Sequence, residues 1–154
     1  MKKLIGVIGG ASVSEDIYRL AQDVGREIAR AGAVLVCGGR TGVMEAASRG
    51  AHEAGGLVVG ILPGASPQEA NPFVDIPIVT NMGLARNAIV VQTAQALVAV
   101  DGSYGTLSEL AFALQLGKPI AGLQTWELDA RIHRAQTPAE AVQWAVQAIG
   151  GNTP

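Results

Sequence analysis

The sequence predicts an α/β fold, a single domain built on a doubly wound parallel sheet with helices on both faces. Three observations carry this. Short runs rich in Val, Ile and Leu recur along the chain and are apolar throughout rather than alternating, as strands buried on both faces are. Helical stretches separate most of these runs. Glycine-rich turns follow three of them and open directly into helices, which is where an open α/β sheet places its ligands.

In chain order, strands are expected over residues 4–8, 33–37, 57–62, 76–80, 96–100 and 119–122. Helix 14–31 opens on Ser14 as N-cap, carries Glu15 and Asp16 in its first turn and stops at Gly32. Helix 42–54 is alanine-rich and stops at Gly55-Gly56. Helices follow over 83–93 and 104–116, the second closed by Gly117. The last, 138–149, has Thr137 as cap and Pro138 at its first position. Residues 63–75 hold three prolines and no helical pattern, a loop long enough to be functional. The polar segment 124–136 reads as a short irregular helix or a lid. The domain is expected to span 1–150, with 151–154 a flexible tail.

Composition removes several function classes. With 49% hydrophobic and 16% charged residues the chain is not disordered. Aromatic residues make up only 4%, which argues against reading single-stranded nucleic acid by stacking. The net charge is −2, and the three lysines and eight arginines are scattered, so no nucleic-acid partner is expected. No apolar run reaches the ~18 residues of a membrane span. Lys2-Lys3 and the apolar stretch after them read as the first strand rather than a signal peptide, because Gly9-Gly10 ends the stretch. Cys37 is the only cysteine, consistent with a reducing cytoplasm and with an inert core thiol. His52 and His133 have no ligand-spaced partner, so no metal site is expected. Trp126 and Trp144 are expected to be packing residues.

Glycine is in excess, at 20 of 154 residues. The turns Gly9-Gly10-Ala11-Ser12, Gly38-Gly39-Arg40-Thr41-Gly42 and Asp101-Gly102-Ser103-Tyr104-Gly105-Thr106 each leave a strand and enter a helix. A helix start offers unpaired N–H groups and partial positive charge, and glycine lets a phosphate come close to the backbone. Three such turns at one sheet edge point to a phosphorylated ligand. The third glycine of the dinucleotide fingerprint is missing, and so is the Gly-Lys-Ser/Thr of a phosphate loop, so neither NAD nor Mg-ATP follows.

Individual side chains leave alternatives open. Arg40 either clamps a phosphate or is solvated. Thr41, Ser103 and Thr106 are helix caps or phosphate contacts. Tyr104 stacks on a base or covers its turn. Arg86, in an otherwise apolar helical run, either reaches solvent or meets an anion. Glu109, in the first turns of its helix, either complements the helix dipole or serves the site.

Three motifs in order, Gly38-Gly39-Arg40-Thr41-Gly42-Val43-Met44-Glu45, Met82-Gly83-Leu84-Ala85-Arg86-Asn87 and Asp101-Gly102-Ser103-Tyr104-Gly105-Thr106-Leu107-Ser108-Glu109, resemble the LOG-like superfamily of Rossmann-type nucleotide-binding proteins. That superfamily includes the LONELY GUY phosphoribohydrolases, often mislabelled lysine decarboxylases, and the molybdenum cofactor carriers. The resemblance covers essentially the whole chain. It implies that Arg86 and Glu109 are the catalytic pair of a hydrolase. The chain departs from the hydrolase pattern at Asp101 (proline there), Ser103 (glycine) and Asn87 (lysine), and its second turn is one residue shorter. These departures look more like the carrier-type or uncharacterised branch.

Two functions follow as expectations. One is hydrolysis of the N-glycosidic bond of a nucleoside 5′-monophosphate, giving a free base and ribose 5-phosphate. The other is a carrier that holds a nucleotide or pterin-type molybdenum cofactor without reacting it. Neither requires a resident cofactor; the bound molecule is AMP-like or a pterin phosphate. Lysine decarboxylation is set aside, since Lys2 and Lys3 are terminal and Lys118 lies at the opposite sheet edge from the turns, away from any Schiff-base site. Helix 104–116 is apolar around most of its circumference, so a homodimer or homotetramer is expected.

Overall fold

A computed structural model describes residues 1–151, and of the expected tail over 151–154, residues 152–154 lie outside them. Seven parallel strands form one sheet in the order β4-β3-β2-β1-β5-β6-β7. The strands are β1 (Leu4–Gly9), β2 (Val34–Cys37), β3 (Val58–Leu62), β4 (Ile76–Val79), β5 (Ala96–Val100), β6 (Ile120–Leu123) and β7 (Ile132–Arg134). The helices are α1 (Glu15–Arg30), α2 (Val43–Glu53), α3 (Arg86–Thr93), α4 (Tyr104–Gln115) and α5 (Pro138–Ile149). Strand order reverses between β1 and β5, so the doubly wound Rossmann-like expectation holds.

Two apolar layers cover the sheet. Helices α1, α2 and α5 bury Ile5, Val7, Leu35 and Val98 on one face. Helices α3 and α4 bury Ile8, Val36, Leu97 and Ala99 on the other. Helix α1 begins where Ser14 Oγ accepts from the N–H of Ile17 at 3.3 Å, and α5 where Thr137 Oγ1 accepts from Glu140 at 3.1 Å. Helices α1 and α2 touch backbone to backbone: a Cβ at Gly25 would strike the Ala47 carbonyl, and one at Gly50 the Gln22 carbonyl.

Three expectations need correction. Segment 124–136 is not a helix; it crosses over residues 124–131 and then adds the seventh strand, β7, which pairs parallel to β6. Strand β4 is not buried; all four of its residues are exposed, because it is an edge strand with no helix over it, and Pro77 is tolerated there. The third helix is shorter than residues 83–93, because Gly83–Ala85 forms a 3-10 turn before α3 begins at Arg86.

Candidate functional site

The carboxyl ends of the strands gather the three glycine-rich turns. The first two are tied together: the N–H of Val43 donates to the Gly10 carbonyl at 3.0 Å, and Thr41 Oγ1 donates to the Ala11 carbonyl at 2.9 Å. Gly42 (φ 66°) sits so close to Gly10 and Ala11 that a Cβ would collide with their main chain. The 63–75 loop braces the second turn from outside. Asn71 donates its N–H to the Gly39 carbonyl at 2.8 Å and its Nδ2 to the Arg40 carbonyl at 2.9 Å.

The third turn is held from the β6 side. Thr125 Oγ1 donates to the Asp101 carbonyl at 2.6 Å, and Trp126 Nε1 to the Ser103 carbonyl at 3.3 Å. The indole edge lies where a Cβ on Gly102 would be. Trp126 is therefore more than a packing residue: with Thr125 it fixes the turn that opens α4. Inside that turn, the Ser103 N–H donates to Thr106 Oγ1 at 3.3 Å, so the capping reading of Thr106 is realised.

Between these turns, at the β1/β5 switch point, lies a cavity of about 270 Å3. Of the residues singled out in the sequence, Gly9, Gly38, Arg86, Ser103, Gly105, Thr106 and Glu109 line it. Gly10, Gly39, Thr41, Gly42 and Gly102 shape the turns behind it. Arg40 is not on the cavity wall and pairs with Glu69 at 3.2 Å. Tyr104 is 84% exposed outside it. Sequence reasoning missed Leu84, Met44 and the buried Asn87 as wall residues. The Met44 and Leu84 positions were visible only as members of their motifs. Asn87 was visible as a polar residue in an apolar helix.

Arg86 does not reach into open space. Its Nη1 donates to the carbonyls of Gly38 (2.5 Å) and Ile61 (2.8 Å), at the ends of β2 and β3. Its Nε is buried without a partner. A Cβ on residue 38 would strike this guanidinium and the Met44 sulfur, so the glycine is required by the arginine. Burial lowers the Arg86 pKa from its ordinary value, opposed by the nearby Glu109 charge.

Glu109 is 9% exposed. Burial raises its pKa to about 7, with Arg86 pulling the other way. The carboxyl is thus divided between its acid and base forms near neutrality, which is what general acid–base work needs. Cys37, beneath the second turn, is fully buried, and that burial raises its pKa above the ordinary thiol value. Lys118 lies at the opposite edge, with Nζ donating to the carbonyls of Ala94 (2.7 Å) and Gln92 (3.1 Å). The two histidines lie away from the cavity, His133 stacked on Trp144 at 4.9 Å and His52 near Asp75.

Comparison with known proteins gives this architecture a family. Residues 2–148 match the SLOG cluster4 family. The chain belongs to that family. A SLOG cluster4 chain of this kind is 47% identical over 142 residues to an uncharacterised protein of Archaeoglobus fulgidus, covering 92% of this chain and 93% of that one. The cytokinin riboside 5′-monophosphate phosphoribohydrolase LOG of Oryza sativa is 35% identical over 94 residues. That match takes in 58% of this chain and 38% of the rice protein, so this SLOG chain spans well under half of that relative. Among solved structures, the molybdenum cofactor binding protein of Rippkaea orientalis superposes with TM-score 0.91 at 36% identity, covering 97% and 98% of the two chains. The molybdenum cofactor carrier protein of Chlamydomonas reinhardtii gives 0.89 at 39%, covering 98% and 99%.

Proposed function

We propose that this chain binds a phosphorylated ligand, a nucleoside monophosphate or a pterin phosphate, in the cavity at the β1/β5 switch point, and holds it rather than cleaving it. One observation supports holding over cleavage. Among the described residues Glu109 is the only acid on the cavity wall, whereas glycoside hydrolysis ordinarily uses two carboxylates. Asp101, the nearest second candidate by sequence, is not on that wall. Similarity to the two molybdenum cofactor proteins over nearly their whole lengths points the same way.

The donors suit a phosphate. Arg86, Ser103, Gly105 and Thr106, the last three at the start of α4, line one small space, with no His or Cys on its wall among the described residues. A molybdenum-bearing pterin would be cargo there, engaged through its phosphate. The reading includes a homodimer or homotetramer in the cytoplasm. It is supported by the exposed apolar side of α4 and by the single, buried cysteine.

Hydrolysis is the second reading, favoured by the near-neutral pKa of Glu109. Thermal unfolding with AMP or a pterin phosphate tests binding, and chromatography of AMP incubations tests cleavage. The expected result is a Tm rise of roughly 5–10 °C at a hundred times Kd, with adenine release at background. Adenine release that Glu109→Gln abolishes would establish hydrolysis instead. No Tm rise with any phosphorylated ligand would overturn binding.

A further inference from the structure

The switch-point cavity is small. At about 270 Å3 it falls below the ~300–1,000 Å3 of small-molecule sites, enough for a phosphate and a sugar but tight for a whole nucleotide. A second cavity of about 640 Å3 lies at the same edge of the sheet, beyond the ends of β6 and β7. Its walls come from the 124–130 crossover and from Ile132, Arg134, Ala135 and Gln136, with Gly122 at the base. A Cβ on Gly122 would strike Thr125 and crowd Ile132, so the glycine lets these two wall residues pack against the end of β6.

The two cavities share a partition. Trp126 lines the larger one, and the Ser103 carbonyl that its indole N–H binds belongs to a residue lining the smaller. The larger cavity offers a half-exposed indole, the amides of Gln124 and Gln136, and the Glu127–Arg134 ion pair. This is a donor–acceptor mixture around an aromatic plane, not an apolar groove. It matches a flat, nitrogen-rich ring that carries both hydrogen-bond donors and acceptors on its edge.

We infer that the larger cavity is the heterocycle subsite of a divided binding site. The purine or pterin ring would lie beside Trp126 between Gln124 and Gln136, and the phosphate would lie across the Ser103 partition. The inference rests on the phosphate reading above. Gln124 holds a left-handed backbone (φ 52°) that an ordinary side chain adopts only at a cost, and it is this residue that turns the crossover over the cavity.

The test uses the two indole N–H resonances in a ¹⁵N-correlated NMR spectrum, assigned with Trp144→Phe. Adenosine and a neutral pterin are titrated in separate arms, with ribose 5-phosphate as the ligand that has no ring. The expected result is that at least one ring compound shifts the Trp126 resonance while ribose 5-phosphate leaves it in place. The arm that responds identifies purine or pterin. Gln136→Ala should weaken AMP or pterin phosphate binding by roughly five- to tenfold and ribose 5-phosphate binding by less than twofold.

If AMP or pterin phosphate raises Tm but no ring compound moves Trp126, the subsite is overturned and the phosphate reading stands. If a ring compound moves Trp126 but no phosphorylated ligand raises Tm, the larger cavity binds a ring on its own, and both the divided site and the phosphate reading are overturned. Equal weakening of ring-bearing and ring-free ligands by Gln136→Ala also overturns the subsite.

Discussion

Arg86 and Gly38 fit one another as a closed pair: the guanidinium donates to the glycine carbonyl at 2.5 Å and fills the volume that any side chain at position 38 would need. The arginine that the family resemblance marks as catalytic thus spends one nitrogen bridging the ends of β2 and β3. Removing it costs two hydrogen bonds from a charged donor, about 2–4 kcal/mol in total for this partly buried group. Gly38→Ala costs about 1–3 kcal/mol by overpacking. The double variant R86A/G38A should lose at least about 1 kcal/mol less than the two single losses combined, because the collision disappears with the arginine. Urea unfolding measures this, and strict additivity would show that the two residues are independent.

Glu109 makes stability depend on pH with a definite sign. Its folded pKa lies near 7 against an ordinary 4.5. Below 4.5 both folded and unfolded chains hold the proton and nothing changes. Between 4.5 and 7 the unfolded chain releases it first, so stability falls as pH rises, and above 7 the loss is complete. At ~1.4 kcal/mol per tenfold in proton affinity the loss is roughly 3 kcal/mol. Glu109→Gln should therefore raise Tm by several degrees at pH 8 and leave it unchanged at pH 4. Calorimetry at the two pH values decides it, and a gain of the same size at both would contradict the burial origin.

The contact of α1 with α2 sets two opposing effects against each other. Gly→Ala inside a helix ordinarily gains up to about 1 kcal/mol. At Gly25 and Gly50 the added methyl meets main-chain carbonyls of the facing helix, which cannot rotate away. The packing loss should win, with each variant less stable by about 1–3 kcal/mol. Denaturant titration of G25A and G50A reads the sign, and stabilisation of either would mean that the helices separate freely.

Tyr104, Phe112 eight residues on, and Leu116 at the C-cap form an exposed apolar stripe along α4, and Leu84 beside the cavity mouth is 83% exposed. A homo-oligomer burying this stripe should give a dimer or tetramer in light scattering. Phe112→Glu with Leu116→Glu should return a monomer. A monomeric wild-type chain would remove the interface.

Much of this was legible in the sequence. The caps at Ser14 and Thr137 were legible because N-cap chemistry is local. The convergence of the three turns follows from parallel topology, which puts every strand exit on one edge. What escaped was set by non-local contacts. β7 is Ile132-His133-Arg134, too short and too polar to look like a strand, and it exists because β6 supplies its partner. Ile76-Pro77-Ile78-Val79 reads as buried because composition does not report which strand ends the sheet. Arg40 is not on the cavity wall and pairs with Glu69, a partner 29 positions away. The spacing of Arg86 gave its helix but not the direction of its guanidinium. Trp126 could not be linked to Ser103 until the 124–131 crossover was seen to fold back over the turn.

Asn81, Asp101 and Gln124 are the three non-glycine residues with left-handed backbone among those described, and each follows a strand at the edge that carries both cavities. Asn and Asp tolerate that conformation and Gln does not, so Gln124 bears the largest penalty, on the order of 1–3 kcal/mol. Selection for robustness alone would replace it with glycine. That exchange would take an amide off the wall of the larger cavity, so a redesign that hardens this edge against heat also changes what that wall can hydrogen-bond.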